Sequence, residues 1–139
     1  MNLKLFDMHS KLDDEFVFEQ LKTHNSNIIE RDLNPVSLYF KDENEHIVAG
    51  LTGKTQWGGL LVDILWVHED YRGQSLGTKL LDEAESIARK RNCENIVLDT
   101  MGFQAKEFYL KQGFQVFGIV ENSKAKLNCY YMKKVLNQS

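Results

Sequence analysis

Apolar positions along the chain change period several times, and each change predicts an element. Leu12, Phe16, Val17 and Leu21 recur at helical spacing behind Ser10, which with Asp13 makes a capping arrangement. This predicts a first helix over about 11–23. Residues 24–34 are polar and irregular, with room for a short second helix, and end at Asn34-Pro35. Val36 to Lys41 reads as a strand, Asp42 to Glu45 as a turn, and His46 to Gln56 as a second strand containing Gly50 and Gly53. Gly58-Gly59 is a two-residue hairpin signal leading into an apolar strand, Leu60 to Val67, so these three strands form an antiparallel meander. Leu76, Leu80, Leu81, Ala84, Ile87 and Ala88 then share one face of a helix that closes with Arg89, Lys90 and Arg91. Asn95 to Thr100 is a strand again. The intervening helix predicts that it lies parallel to Leu60–Val67 through a right-handed crossover. A short helix over about 103–112 ends at Gly113, a good residue to follow a helix. Phe114 to Val120 and Leu127 to Val135 are the last two strands. The order α, βββ, α, β, α, ββ predicts a mixed sheet with helices on both faces.

Composition narrows the class. The chain has 139 residues, 42% hydrophobic and 27% charged, with a single proline, as in a globular protein. There are no repeats or linkers, so residues 1–139 read as one domain. No apolar run approaches the roughly 20 residues that cross a bilayer, and the N-terminus lacks the apolar centre of a signal peptide. Two cysteines, Cys93 and Cys129, give neither a disulfide framework nor a metal-binding spacing. A cytoplasmic protein without a membrane partner or a metal is the expectation. The net charge of −3 argues against nucleic acid as a partner. Residues 1–63 carry 11 acids and 6 Lys or Arg, whereas residues 64–139 carry 9 and 11. An acidic half and a basic half suit a cationic acceptor and an anionic cofactor, although ordinary surface scatter gives the same counts.

The segment Arg72-Gly73-Gln74-Ser75-Leu76-Gly77 joins the apolar strand to its helix. A glycine-containing turn opening a helix presents free N–H groups and a positive dipole end, which together make an anion site. It is not a P-loop: Gly73 to Gly77 is one residue short of GxxxxGK(S/T), and Thr78 precedes Lys79. Nor is it a dinucleotide fingerprint, which requires GxGxxG at a first strand-to-helix turn.

The segment resembles the signature of the GNAT superfamily of N-acetyltransferases, (Q/R)-x-x-G-x-(G/A). Arg72 stands first and Gly77 last, and Ser75 replaces the middle glycine. A second family segment, N-x-x-A-x-x-x-Y-x-x-x-G-(F/Y), is matched by Ala105, Tyr109, Gly113 and Phe114, with Gly102 where the family has asparagine. Both motifs stand in the family's order and the element order agrees throughout, so the chain resembles a small single-domain bacterial member. The resemblance implies an α/β GNAT fold: a mixed, mostly antiparallel sheet of about six to seven strands, splayed between the family's strands 4 and 5. Those are the strands 60–67 and 95–100 here.

It further implies acetyl-CoA as donor, its pyrophosphate on the N–H groups of Gly73, Gln74, Ser75, Leu76, Gly77 and Thr78 beside Arg72. The pantetheine arm would lie along Leu65, Trp66 and Val67, where a bulge splays the strands and the N–H near Val67 polarises the thioester carbonyl. Gln104 is the candidate to replace the missing asparagine amide. Tyr109 is the candidate general acid, with a packed core aromatic as the alternative. Asp63, a lone acid inside an apolar strand, is the candidate proton relay, with a solvent-facing or ion-paired carboxylate as the alternative. Trp57, Trp66 and Tyr39 are read as sheet-packing aromatics, with a reach of Trp57 to the acceptor cleft as the alternative, and His68 is structural. The acceptor is an amine of a small molecule or a peptide, shaped by about 25–35 and 121–128, and a homodimer is compatible with the family. A non-catalytic acyl-CoA-binding sensor of the same fold is the competing function.

Overall fold

The computed structural model describes residues 2–136; residues 1 and 137–139 lie outside it. The chain divides into two units, one up to Asp32 and one from Leu33 onward. In the first, α1 spans Lys11–Ser26, three residues past the end predicted from periodicity, and a turn follows in place of a second helix. Ser10 caps it, its side chain accepting the Asp13 N–H at 3.2 Å, as the Ser10/Asp13 spacing predicts. Phe18 stacks under the Lys22 ammonium at 5.0 Å, and Arg31 pairs with Glu19 at 3.4 Å.

The second unit is a six-stranded sheet in the order β1-β2-β3-β4-β6-β5. Its strands are β1 (Asn34–Lys41), β2 (Ile47–Gln56), β3 (Gly59–Val67), β4 (Asn95–Met101), β5 (Gln115–Val120) and β6 (Cys129–Val135). Every pairing is antiparallel except β3 with β4, which α2 (Leu76–Lys90) connects. The hairpin between β2 and β3 turns at Trp57-Gly58, with φ of 47° and 85°, and Gly59 already pairs with Gln56. Two successive positive φ values are the twist-matched hairpin geometry. The Gly58-Gly59 reading is therefore one residue late, because Trp57 takes a left-handed conformation usually left to Gly or Asn.

One core joins the sheet to α2 and to α3 (Lys106–Lys111). Leu51, Leu60, Leu80, Ile96 and Met132 are its largest fully buried side chains, each contributing about 1.5–3 kcal/mol by leaving water. Ala84 and Ala88 let α2 approach the sheet closely. At the far end of α2, Arg91 donates to the Pro35 carbonyl at 3.2 Å and to Thr55 Oγ1 at 3.1 Å, anchoring the helix to β1 and β2. Glu85 bridges Lys134 of β6 at 2.7 Å and Arg89 at 3.1 Å, and the Lys134 ammonium foremost holds its carboxyl below the usual range.

Strand β3 carries the irregularity that shapes the molecule. Thr52 pairs with Ile64 and Gly53 with Val62, so Asp63 is an extra residue, a bulge. The phase of burial slips there: Leu60 and Val62 are buried before it, whereas Leu65 and Val67 pack on the core after it. Gly53 opposite is obligatory, since a Cβ would land on the Leu61 carbonyl. The parallel ladder between β3 and β4 runs from Gly59–Asn95 to Leu61–Val97 and stops. Beyond the bulge the two strands diverge.

Candidate functional site

At the open end of β3 the chain leaves the sheet through His68, whose Nδ1 accepts the Asp70 N–H at 3.0 Å and caps a 3₁₀ turn, Glu69–Tyr71. The Arg72 guanidinium folds back, Nε donating to the Val67 carbonyl at 3.2 Å. Gly73 takes φ +85° and Ser75 takes φ +61°, so the backbone reverses its handedness before α2 begins. Lys79 makes the first helical bond, to Ser75 O at 3.0 Å. The six N–H groups from Gly73 to Thr78 therefore meet no protein acceptor among the described residues. Unpaired donors at a helix start are the physical basis of an anion site.

Two further elements complete the walls. The N–H of His68 donates to Val48 of β2 at 2.8 Å. Successive N–H groups alternate sides, so the Val67 N–H points the other way, into the splay. From the opposite side comes α3, whose entry is fixed by two side chains. Gln104 Oε1 accepts the Met101 N–H at 2.7 Å, and Thr100 Oγ1 accepts the Ala105 N–H at 3.3 Å. Phe108 of α3 seats over Gly77, where an added Cβ would lie 3.2 Å from its ring. Gln112 Nε2 donates to Thr78 Oγ1 at 3.1 Å and ties α3 to the start of α2.

The result is a cleft of about 540 Å³ that runs from the glycine turn to Tyr109, with Leu65, Trp66 and Val67 along one side. Tyr109 is 8% exposed and lies edge-on to Phe108 and Phe114 at 5.3 and 5.7 Å. Burial first, and the Asp99 carboxylate second, push its phenol above the ordinary value of about 10. It is a protonated group whose ring is packed and whose hydroxyl borders open space.

The acetyltransferase (GNAT) family model matches residues 5–114. The chain belongs to the GNAT acetyltransferase family. Acetyltransferase Atu2258 of Agrobacterium fabrum is 33% identical over 119 residues, 85% of this chain and 87% of that protein. Blasticidin-S acetyltransferase of Streptomyces morookaense is 37% identical over 87 residues, 62% of this chain and 64% of that protein. The 1.9 Å crystal structure of an acetyltransferase from Bacillus cereus ATCC 14579 superposes with a TM-score of 0.80 at 32% identity, covering 96% and 98% of the two chains.

Against the residues expected from the GNAT motifs, the cleft brings together Leu65, Trp66, Val67, Arg72, Gly73, Ser75, Leu76, Gly77, Thr78 and Tyr109. Gln74 contributes its N–H but no lining surface. Gln104 lies in a second, smaller cavity, of about 210 Å³, together with Asp63 and Asp99. Tyr109 borders both cavities. The glycine at 102 has a local cause: a Cβ there would sit 2.6 Å from the Ala125 carbonyl, so the family asparagine does not fit this backbone. Trp57 lies in the hairpin at the other end of β3, away from the splay. Tyr71, Phe108 and Asp99 are the site residues that motif spacing did not single out. Among the described residues no three His, Cys, Asp or Glu side chains gather to hold a metal, and no helix is long and apolar enough to cross a membrane.

Proposed function

We propose that this chain is an acetyl-CoA-dependent N-acetyltransferase that acylates a primary amine by direct attack in a ternary complex. The observation that carries the reading is the continuity of one cleft, from the six unpartnered N–H groups of 73–78 to the Tyr109 hydroxyl. The donor set fits the group: backbone donors and Arg72 for a pyrophosphate, and an apolar wall at Leu65–Val67 for an extended arm. When bound, acetyl-CoA supplies a thioester activated toward a neutral amine.

The remaining chemistry belongs to the chain. The Val67 N–H, on the unpaired edge of β3, is directed at the space where carbonyl negative charge develops. Tyr109 holds a proton at its hydroxyl and delivers it to the departing thiolate sulfur. Asp63, on the other side of the splay, receives through water the proton of the incoming ammonium, whose pKa is about 10 when unperturbed. The second nitrogen proton, released as the amide forms, restores the Tyr109 hydroxyl. Acceptor access is from the smaller cavity, which is walled by Asp63, Thr100 and Gln104 and shares Tyr109 with the cleft. The acceptor is a small-molecule amine first and a peptide amine second. Blasticidin S belongs in the panel because the Streptomyces relative is named for it.

Two measurements on the purified protein test this. Titration calorimetry should give saturable acetyl-CoA binding, and an amine panel should give release of CoA thiol with an acetylated product detected by mass. Saturable binding with no thiol release from any amine would instead make the chain an acyl-CoA-binding module.

A further inference from the structure

On the N-acetyltransferase reading above, we propose that the smaller cavity selects acceptors with a second positive charge, and that Asp99 is the residue that reads it. If the β3–β4 ladder continued past Leu61–Val97, the next outward pair on that face would be Asp63 with Asp99. Two carboxylates directly opposite one another oppose strand pairing. The ladder ends before they meet, and the bulge at Asp63 turns β3 away. Val62, Leu98 and Thr100 are buried beside them, while Asp63 and Asp99 are solvent-exposed residues that line the cavity's edge. No Lys or Arg lies within ion-pair distance of either among the described residues. The neighbouring ammonium groups are turned elsewhere: Lys106 lies over the Tyr130 ring at 4.5 Å and Lys133 over Phe117 at 5.8 Å.

The cavity is more than an acidic pair. Its floor is Tyr109, 8% exposed, whose hydroxyl makes no hydrogen bond among the described residues. A buried, unpartnered polar side chain bordering an open cavity marks where a ligand group is to be received. The volume of about 210 Å³ equals that of roughly seven waters, room for a short aliphatic chain.

Charge balance then assigns the roles. The acceptor nitrogen forms the amide bond as the carbon–sulfur bond breaks. The acceptor ammonium first passes one proton through water to Asp63; the sulfur takes the Tyr109 proton, and the second nitrogen proton, released as the amide forms, restores the Tyr109 hydroxyl. One carboxylate is neutralised in this step and the other is not. Asp99 keeps its charge throughout and pairs with a second ammonium, which keeps its proton. An amine without that second charge leaves Asp99 unpaired beside the site.

The test compares putrescine with butylamine and cadaverine with pentylamine, by thiol release at low salt. The diamine should be favoured in kcat/KM by about tenfold or more, the ratio that one charge-assisted contact of about 1.4 kcal/mol gives. The preference should shrink as salt is raised. Asp99→Asn should bring the ratio close to one, and Asp99→Glu should retain most of it. Calorimetry with putrescine alone should show weaker binding in Asp99→Asn, a readout independent of turnover. A ratio near one in the natural protein, or an unchanged ratio in Asp99→Asn, overturns the proposal and leaves the N-acetyltransferase reading standing. Acetyl-CoA binding with no thiol release from any amine overturns both.

Discussion

The two sides of the β3–β4 splay are built from different materials. On one side the groups to which the proposed function gives recognition are main-chain: six N–H groups at the start of α2 and the Val67 N–H on the open edge of β3. On the other they are side chains, Asp63, Asp99 and Gln104, carried on two strands and the entry to a short helix. Main-chain donors recognise what all members of a reaction class share, here a phosphate-bearing donor, and they depend on backbone path rather than on residue identity. Side chains can change without altering the path, so the acceptor side is free to specialise. Leu65, Ala105 and Tyr109 line both sides, and of these Tyr109 alone carries a titratable group.

The sharpest test of this division therefore falls on Tyr109. Tyr109→Phe should lower turnover by about 10²- to 10⁴-fold, the usual contribution of a positioned acid, while acetyl-CoA affinity measured by calorimetry stays within experimental error. Full activity in the variant would remove Tyr109 from the mechanism and leave the two cavities chemically unconnected. The pH profile adds an independent check. Burial and Asp99 raise the phenol above its ordinary value, so the protonated acid persists through neutral and mildly alkaline pH. Activity should rise as the amine loses its proton, with no falling limb below about pH 10. In Asp99→Asn that limb should move to lower pH. The same shift bears on stability: the folded state holds the phenol proton more tightly than the unfolded chain. That contribution is complete below about pH 10 and is lost as pH rises through the raised folded value.

A second test asks whether the donor side really depends on backbone path. Gly77 has no side chain because Phe108 occupies the space, with 3.2 Å between a built Cβ and the ring. Gly77→Val should push Phe108 and α3 away, costing about 1–3 kcal/mol of stability by overpacking. It should weaken acetyl-CoA binding by about tenfold or more. Putrescine binding, which relies on side chains across the splay, should fall less. Equal losses on both sides would mean that the two cavities are one unit.

What was legible in the sequence follows the same division. Glycines forced by geometry leave marks at fixed spacing: Gly73 at φ +85°, Gly77 beneath Phe108 and Gly113 at φ +93°. From these the turn, the helix start and the end of α3 could be read, and with them the family and the sheet. The hairpin was displaced by one residue because Trp57, not Gly59, accepts a positive φ. At Asp63 the shift of the apolar phase from Leu60 and Val62 to Leu65 and Val67 was present in the sequence. The lone acid drew a chemical explanation, and the backbone adds a local one that alternation alone did not show: Asp63 is the extra residue of a bulge. Asp99 carried no signal at all, since its importance arises from facing Asp63 across a crossover of more than thirty residues. Long-range register of that kind has no expression in local periodicity.

The smallest expected effect concerns Ser75, the residue that departs from the family motif. It holds φ +61°, ψ +25° as the residue before α2, and its hydroxyl makes no capping bond. A side chain in that region carries a steric cost of about 1–2 kcal/mol, which glycine does not. Glycine in turn gives the unfolded chain more freedom, by about 0.4–1 kcal/mol. Ser75→Gly should therefore stabilise the protein by only about 0.5 kcal/mol, a rise in Tm of a few degrees at most. Because the N–H is retained, acetyl-CoA affinity should stay equal or improve. Ser75→Ala separates the two contributions of the serine: it keeps the strain and removes the hydroxyl. If both variants lose affinity, the hydroxyl itself binds the donor, and the donor side is not purely main-chain. If only the alanine variant binds as serine does while glycine binds more tightly, the left-handed turn alone sets the affinity, and Ser75 is a strained substitute for the glycine of the motif.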